Sequence, residues 1–217
     1  MRLRDSFPKN ISAIIFDFGG VVLDLSVPRT VEAFRRLGVR DFFGDESESQ
    51  ADANAFFEAN ESGKFTREEF FRKLRERAPE LAAHSEDEIR TAWDAMLGDF
   101  VPARIALIRS LRPRYRTFLL SNTNALHRET FSRRFSEQVG GSLDAAFDQT
   151  FYSDRLGCVK PSHEIFEKVI AATKLVPAET LFIDDNERNV AGARECGLNA
   201  YRLVPGKEDV TQLFVAD

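Results

Sequence analysis

The sequence has little of what staples small secreted folds or anchors membrane proteins. Its two cysteines, Cys158 and Cys196, lack the spacing of a metal site and are too few for a disulfide scaffold, so they read as small buried or surface thiols. No apolar run approaches the roughly 20 residues that cross a bilayer. The opening stretch from Met1 to Pro8 carries basic residues but no apolar segment or small-residue cleavage site after it, so no secretory signal is expected and the cytoplasm is the expected location. There is no broad excess of one charge: a net −5 is spread over interspersed acids and bases, which excludes an electrostatic footprint for nucleic acid. His84, His127 and His163 share no ligand spacing and read as surface or structural residues. Repeats and low-complexity segments are also lacking.

What is present is a well-supplied interior. With 217 residues, 43% of them hydrophobic and 20 of them Phe, the chain suffices for one large domain or a domain with a modest insertion. The phenylalanines fall on periodic segments, as at Phe65, Phe70 and Phe71, and read as core packing.

Ala13 to Phe16 is a short run of β-branched and aromatic residues that predicts a buried strand, broken sharply after Asp17 by Gly19-Gly20. From Val27 to about Val101 strand signals are scarce and helical spacing takes over: Val31, Phe34 and Leu37, then Phe70 and Leu74, then Ile89, Trp93 and Leu97. Thr66-Arg67-Glu68-Glu69 predicts a capping box. Asp45 to Asn54 fits either an exposed helix or a loop. From Pro102 helices and strands alternate. Strands are predicted over Arg116 to Leu120, Phe147 to Tyr152, Leu181 to Ile183 and Asn199 to Leu203. Helices are predicted over Ala103 to Leu111, Ala125 to Phe135, Pro161 to about Thr173, and on to about Cys196, where Gly197 stops the last. The alternation implies an α/β fold with a doubly wound, mostly parallel sheet. Residues 1–26 and 102–217 are assigned to the core, and 27–101 to a helical cap inserted after the first motif.

The polar clusters all stand at strand ends: Asp17, Ser121-Asn122, the Lys160-Pro161 turn, and Asp184-Asp185. In open α/β sheets that edge is where ligands bind. Converging carboxylates repel unless a cation lies among them, and a small, hard, oxygen-liganded ion such as Mg²⁺ resolves the conflict. Lys160 offsets charge around a nucleophilic Asp17 and a phosphoryl group, while Ser121 and Asn122 offer neutral donors. Carboxylate nucleophiles form aspartyl-phosphates, and phosphoryl transfer chiefly requires positioning and charge stabilisation.

The order Asp17-Phe18-Gly19-Gly20-Val21, Ser121-Asn122-Thr123, Lys160-Pro161, Asp184-Asp185 resembles the four motifs of the haloacid dehalogenase superfamily, with a helical C1 cap. Leu120 to Asn124 with Leu126-His127, and Phe182 to Asn186, are similar to bacterial α-D-glucose-1-phosphate phosphatases. The resemblance implies a Mg²⁺-dependent phosphatase of small phosphate esters, preferably a sugar 1-phosphate, working as a monomer or homodimer without nucleic acid or membrane partners. It makes Asp17 the nucleophile and a metal ligand, with the Gly19 carbonyl, Asp184 and Asp185 completing the metal set. Ser121, Asn122 and Lys160 would hold the phosphoryl group, and Glu61 would touch substrate hydroxyls. One departure stands out. Relatives mostly carry a second Asp two residues after the nucleophile as general acid and base, and here that residue is Gly19; Asp24 is a candidate substitute. Two rivals follow from this glycine: a metal-independent 2-haloacid dehalogenase, against which the Asp184-Asp185 pair speaks, and a phospho-ligand-binding pseudophosphatase.

Overall fold

The computed structural model describes residues 1–40 and 50–216, so residues 45–49 of the Asp45 to Asn54 segment lie outside the described residues, and 50–54 are helical. In chain order the elements are β1 (Arg2–Leu3), β2 (Ala13–Phe16), β3 (Leu23–Leu25), α1 (Val27–Arg36), α2 (Gln50–Glu61), α3 (Arg67–Arg77), α4 (Glu86–Trp93) and β4 (Leu97–Phe100). There follow α5 (Pro102–Leu111), β5 (Arg116–Ser121), α6 (Ala125–Gln138), β6 (Gln149–Tyr152), α7 (Ser153–Leu156), α8 (His163–Thr173), β7 (Thr180–Asp184), α9 (Glu187–Glu195), β8 (Asn199–Arg202) and β9 (Phe214–Val215).

The predicted parallel sheet is there, five strands in the order β6-β5-β2-β7-β8. Its two faces follow from strand periodicity, since successive side chains point to opposite sides. Ile14 and Phe16, with Leu119, Leu181 and Ile183, face Ile105, Ile108 and Leu111 of α5 and Phe131 and Phe135 of α6. Ala13 and Ile15, with Phe118, Leu120 and Phe182, face Ile165, Phe166 and Val169 of α8 and Ala193 of α9. Both faces are therefore buried, which is why β2 reads as an unbroken apolar run rather than an alternating one. Each buried Ile or Phe contributes about 1.5–3 kcal/mol of transfer free energy.

A third cluster belongs to the helices between β3 and β4. Phe34 of α1, Phe70, Phe71 and Leu74 of α3, and Ile89 and Trp93 of α4 bury against one another, meeting Leu126 of α6. The capping box at α3 forms as expected: Thr66 Oγ1 accepts from Glu69 N at 3.2 Å, and Thr66 N donates to Glu69 Oε2 at 2.8 Å.

Three expectations need correction. Leu97 does not continue the helical row of Ile89 and Trp93, because the chain passes through a short 3-10 turn and becomes β4, antiparallel to β3 with Leu25 opposite Leu97. The pairing comes from residues 72 apart in sequence, so no local pattern announces it. Pro161 does not open α8. That helix starts at His163, and Pro161 belongs to the turn carrying Lys160, whose backbone is tied to Asn122 instead of entering a helix. The strand placed over Phe147 to Tyr152 begins at Gln149, because Asp144 to Ala146 forms a 3-10 turn capped at Phe147.

Candidate active site

Register assembles the acidic edge. Phe16 pairs with Ile183 across β2 and β7, so the next residues, Asp17 and Asp184, emerge side by side, and Asp17 N donates to Ile183 O at 2.8 Å. One oxygen each of Asp17, Asp184 and Asp185 falls within 4.8 Å of the others. The Asp184 carboxylate is saturated. It accepts from Lys160 Nζ at 2.8 Å, Asn189 Nδ2 at 3.0 and 3.1 Å, and Asn186 N at 2.8 Å. Asp185 is left half-exposed, with its backbone carbonyl accepting from Arg202 Nε at 3.2 Å. Burial raises the Asp17 carboxyl pKa far above the usual range; Lys160 opposes the rise and Asp184 adds to it. Burial and then Asp184 likewise raise that of Asp185.

Lys160 is buried between two of these acids. Its Nζ donates to Asp17 Oδ1, to Asp184 Oδ2 and to Leu120 O at 3.0 Å, and stands 5.4 Å from the centre of the Phe182 ring. Burial alone depresses an ammonium pKa, but the Asp17 and Asp184 charges outweigh it and hold this one above the ordinary lysine value. The turn beneath it is fixed from two sides. Asn122 Oδ1 accepts from Lys160 N and Asn122 Nδ2 donates to Lys160 O, both at 2.9 Å. Asn122 thus spends its side chain on positioning Lys160. From the other side α9 approaches so closely that a Cβ on Gly192 would lie 2.5 Å from Pro161 O. A glycine inside a helix costs about 0.5–1 kcal/mol relative to alanine, and here that contact requires it. Gly20 is constrained more severely: φ is +77°, and a Cβ would lie 2.4 Å from Asp185 Oδ2.

From this edge a cavity of about 160 Å³ runs toward the helices between β3 and β4. Gly19, Ser121, Asn122 and Thr123 line it on the sheet side; Phe57, Asn60, Glu61, Trp93 and His127 line it opposite. Ser121 is buried, its Oγ donating to Asn122 O at 3.3 Å. Asn60 is 6% exposed, and its Nδ2 has no hydrogen-bond partner among the described residues. Burial raises the Glu61 pKa to about 7, against the pull of Lys160 and with a push from Glu58. His127, stacked 4.8 Å from Trp93, is structural as expected: Nε2 lies 3.1 Å from Trp93 O and Nδ1 lies 3.2 Å from Asn124 Nδ2. Asp24, the proposed substitute acid, is turned away onto Arg104 at 2.7 Å and does not line the cavity.

Asn189 and Asn60 escaped the sequence reading. A polar residue on the inner side of α9, five after Asp184, is the only sign of the first; the second has none without the cavity.

The donor set suits a small, hard dication: three carboxylates against one ammonium leave an uncompensated negative charge, and every ligand atom on offer is oxygen. Asp17 and Asp185 would hold the ion directly, together with the Gly19 carbonyl, while Asp184 holds Lys160.

Comparisons with known proteins show what the chain as a whole is similar to. A D-ribitol-5-phosphate phosphatase from Bacteroides thetaiotaomicron is 32% identical over 207 residues, covering 94% of this chain and 98% of its own. A haloacid dehalogenase family enzyme of the same organism superposes with a TM-score of 0.86 at 31% identity, covering 96% of this chain and 100% of the other. The form of that enzyme in complex with magnesium and inorganic phosphate gives 0.83 at 30% identity, covering 94% and 100%. An L-2-haloacid dehalogenase from Xanthobacter autotrophicus shares the fold, at a TM-score of 0.57 and 21% identity over 89% of this chain and 77% of its own. The family model for haloacid dehalogenase-like hydrolases matches residues 11–197, and the chain belongs to that family.

Proposed function

We propose that this hydrolase is a Mg²⁺-dependent phosphomonoesterase acting on a small sugar or polyol phosphate through an aspartyl-phosphate on Asp17. The observation that carries the reading is the convergence of Asp17, Lys160, Asp184 and Asp185 beside a cavity that Gly19, Ser121 and Asn122 line. The relatives named for phosphatase activity and for magnesium and phosphate complexes support it. Residues 27–101 serve as the cap, closing the leaving-group side, and 1–26 with 102–217 as the core.

In this reading Lys160 and Ser121 hold the phosphoryl oxygens, while Asn122 keeps Lys160 in place. Asp17 attacks phosphorus; the ester oxygen departs into the cavity; water then releases phosphate from Asp17. Bound Mg²⁺ supplies charge neutralisation for Asp17 and the phosphoryl group. The cavity is close to the roughly 150 Å³ that accommodates a benzene-sized molecule, which suits a small leaving group. The acidic set speaks against the dehalogenase alternative, since unneutralised carboxylates repel an anionic haloacid.

The test is a panel of glucose 1-phosphate, glucose 6-phosphate and D-ribitol 5-phosphate, assayed with Mg²⁺ and with EDTA. Phosphate release that EDTA abolishes and Mg²⁺ restores is expected. Halide release from a 2-haloacid in EDTA, with no phosphate release from any ester, would sink the reading.

A further inference from the structure

Gly19 removes the side chain that would otherwise move a proton at the ester oxygen, so the site needs another group or none. Among the described residues, two titratable side chains line the cavity, Glu61 and His127. His127 is committed at both ring nitrogens, and burial, opposed by Asp94, lowers its pKa and keeps it neutral. Asp24 is held by Arg104 outside the cavity. Lys160 is pinned by two carboxylates and a carbonyl. Glu61 remains. It closes α2 at the cavity wall, half-buried.

We propose that Glu61 is the general acid and base of the reaction, a catalytic carboxyl supplied from the inserted helices in place of the one missing at Gly19. The proposal rests on the phosphatase reading above. In the first half, an Asp17 oxygen bonds to phosphorus, the phosphorus–oxygen bond to the leaving group breaks, and the Glu61 proton passes to the departing oxygen. In the second half, the Glu61 carboxylate takes a proton from water as the water oxygen attacks the phosphorus of the aspartyl-phosphate. Asp17 leaves as a carboxylate, phosphate departs, and Glu61 is protonated again. The charges facing Glu61 are Lys160, which favours its ionised form, and Glu58, which disfavours it; burial sets a pKa of about 7, within reach of both protonation states near neutrality. With this acid in place an ordinary alcohol can leave, so an anomeric leaving group is no longer required.

The test compares wild type with Glu61→Gln on phenyl phosphates of graded leaving-group acidity and on one alkyl ester, all with Mg²⁺. General acid–base catalysis is worth roughly 10²–10⁴-fold, so Glu61→Gln should lose that much kcat/KM on the alkyl ester. It should lose less than about tenfold on the most acidic phenol, whose departure needs no proton. On that phenol the variant should also release a burst of product and accumulate phosphoenzyme, because water attack lacks its base. The same fold-loss on every ester, with no burst, overturns the proposal and leaves Glu61 as a binding residue. Should Glu61→Gln fail to fold, Glu61→Asp carries the same readout: a dependence on leaving-group acidity steeper than wild type supports the proposal, and an unchanged one overturns it. If wild type turns over no ester in the series, the phosphatase reading itself has failed, and the proposal falls with it.

Discussion

The two sides of the cavity are built to different standards. On the sheet side the polar groups answer one another: Asp184 accepts four hydrogen bonds, Lys160 makes three, and Asn122 ties down the turn beneath. On the helical side Asn60 Nδ2 stands buried without a partner among the described residues, and burial raises the pKa of the neighbouring Glu61 carboxyl. Buried polar groups are ordinarily satisfied, and leaving one unpaired costs about 1–3 kcal/mol. Under the proposed reading, the sheet side would serve the chemistry common to every substrate, and the helical side would meet the leaving group. Mutations should separate the two: damage to the sheet edge removes function without gaining stability, and neutralising the helical side trades function for stability.

The largest effect should come from Asp17→Asn, which keeps the shape of the residue and removes its nucleophilicity. Turnover should fall by more than about 10⁴-fold with the melting temperature little changed; near wild-type kcat would rule Asp17 out as nucleophile. Next is Gly20→Ala. The new Cβ would collide with Asp185 Oδ2 at 2.4 Å and sit on a backbone with φ +77°, costing about 1–2 kcal/mol for the left-handed conformation alone. Weakening of Mg²⁺ binding by roughly tenfold or more is expected, one decade per 1.4 kcal/mol, read by calorimetric titration. Unchanged Mg²⁺ affinity would remove Asp185 from the metal set.

The smallest effect sharpens the contrast most. Glu61 has a folded pKa of about 7 against a reference value of 4.5. Between those pH values the folded state binds more protons than the unfolded one, so stability falls as pH rises through the window. Glu61→Gln removes that loss. Its melting temperature should match wild type near pH 4 and exceed it near pH 8, by a margin equivalent to about 1–3 kcal/mol. A margin that is the same at both pH values would show that ionisation of Glu61 carries no such cost.

The sheet edge was far more legible in the sequence than the helical side, for a physical reason. Asp17, Lys160 and Asp184-Asp185 stand where an apolar strand or a turn stops, and that local break is written in neighbouring residues. The parallel order, and the grouping of these residues at one edge, followed from alternation alone. The partners that decide what each residue does were not local. Asn122 is diverted to Lys160 across 38 positions, Asp24 to Arg104 across 80, and Leu25 to Leu97 across 72. Glu61 stood out as a cleft residue only by resemblance, and its place in the wall appears once Phe57, Trp93 and Gly19 are seen around the same cavity.

The ribbon of β3 and β4 has a consequence for how such a protein diversifies. Because the chain leaves the sheet through Leu23–Leu25 and returns alongside through Leu97–Phe100, the ends of the intervening segment are clamped together like the base of a stem. Residues added or lost between them shift neither β2 nor β5, just as insertions are tolerated in proteins whose attachment points lie close together. Selection can therefore rewrite the inserted segment while the acidic edge of the sheet is inherited unchanged, and under the proposed reading a catalytic carboxyl could pass from one part to the other while the fold is kept.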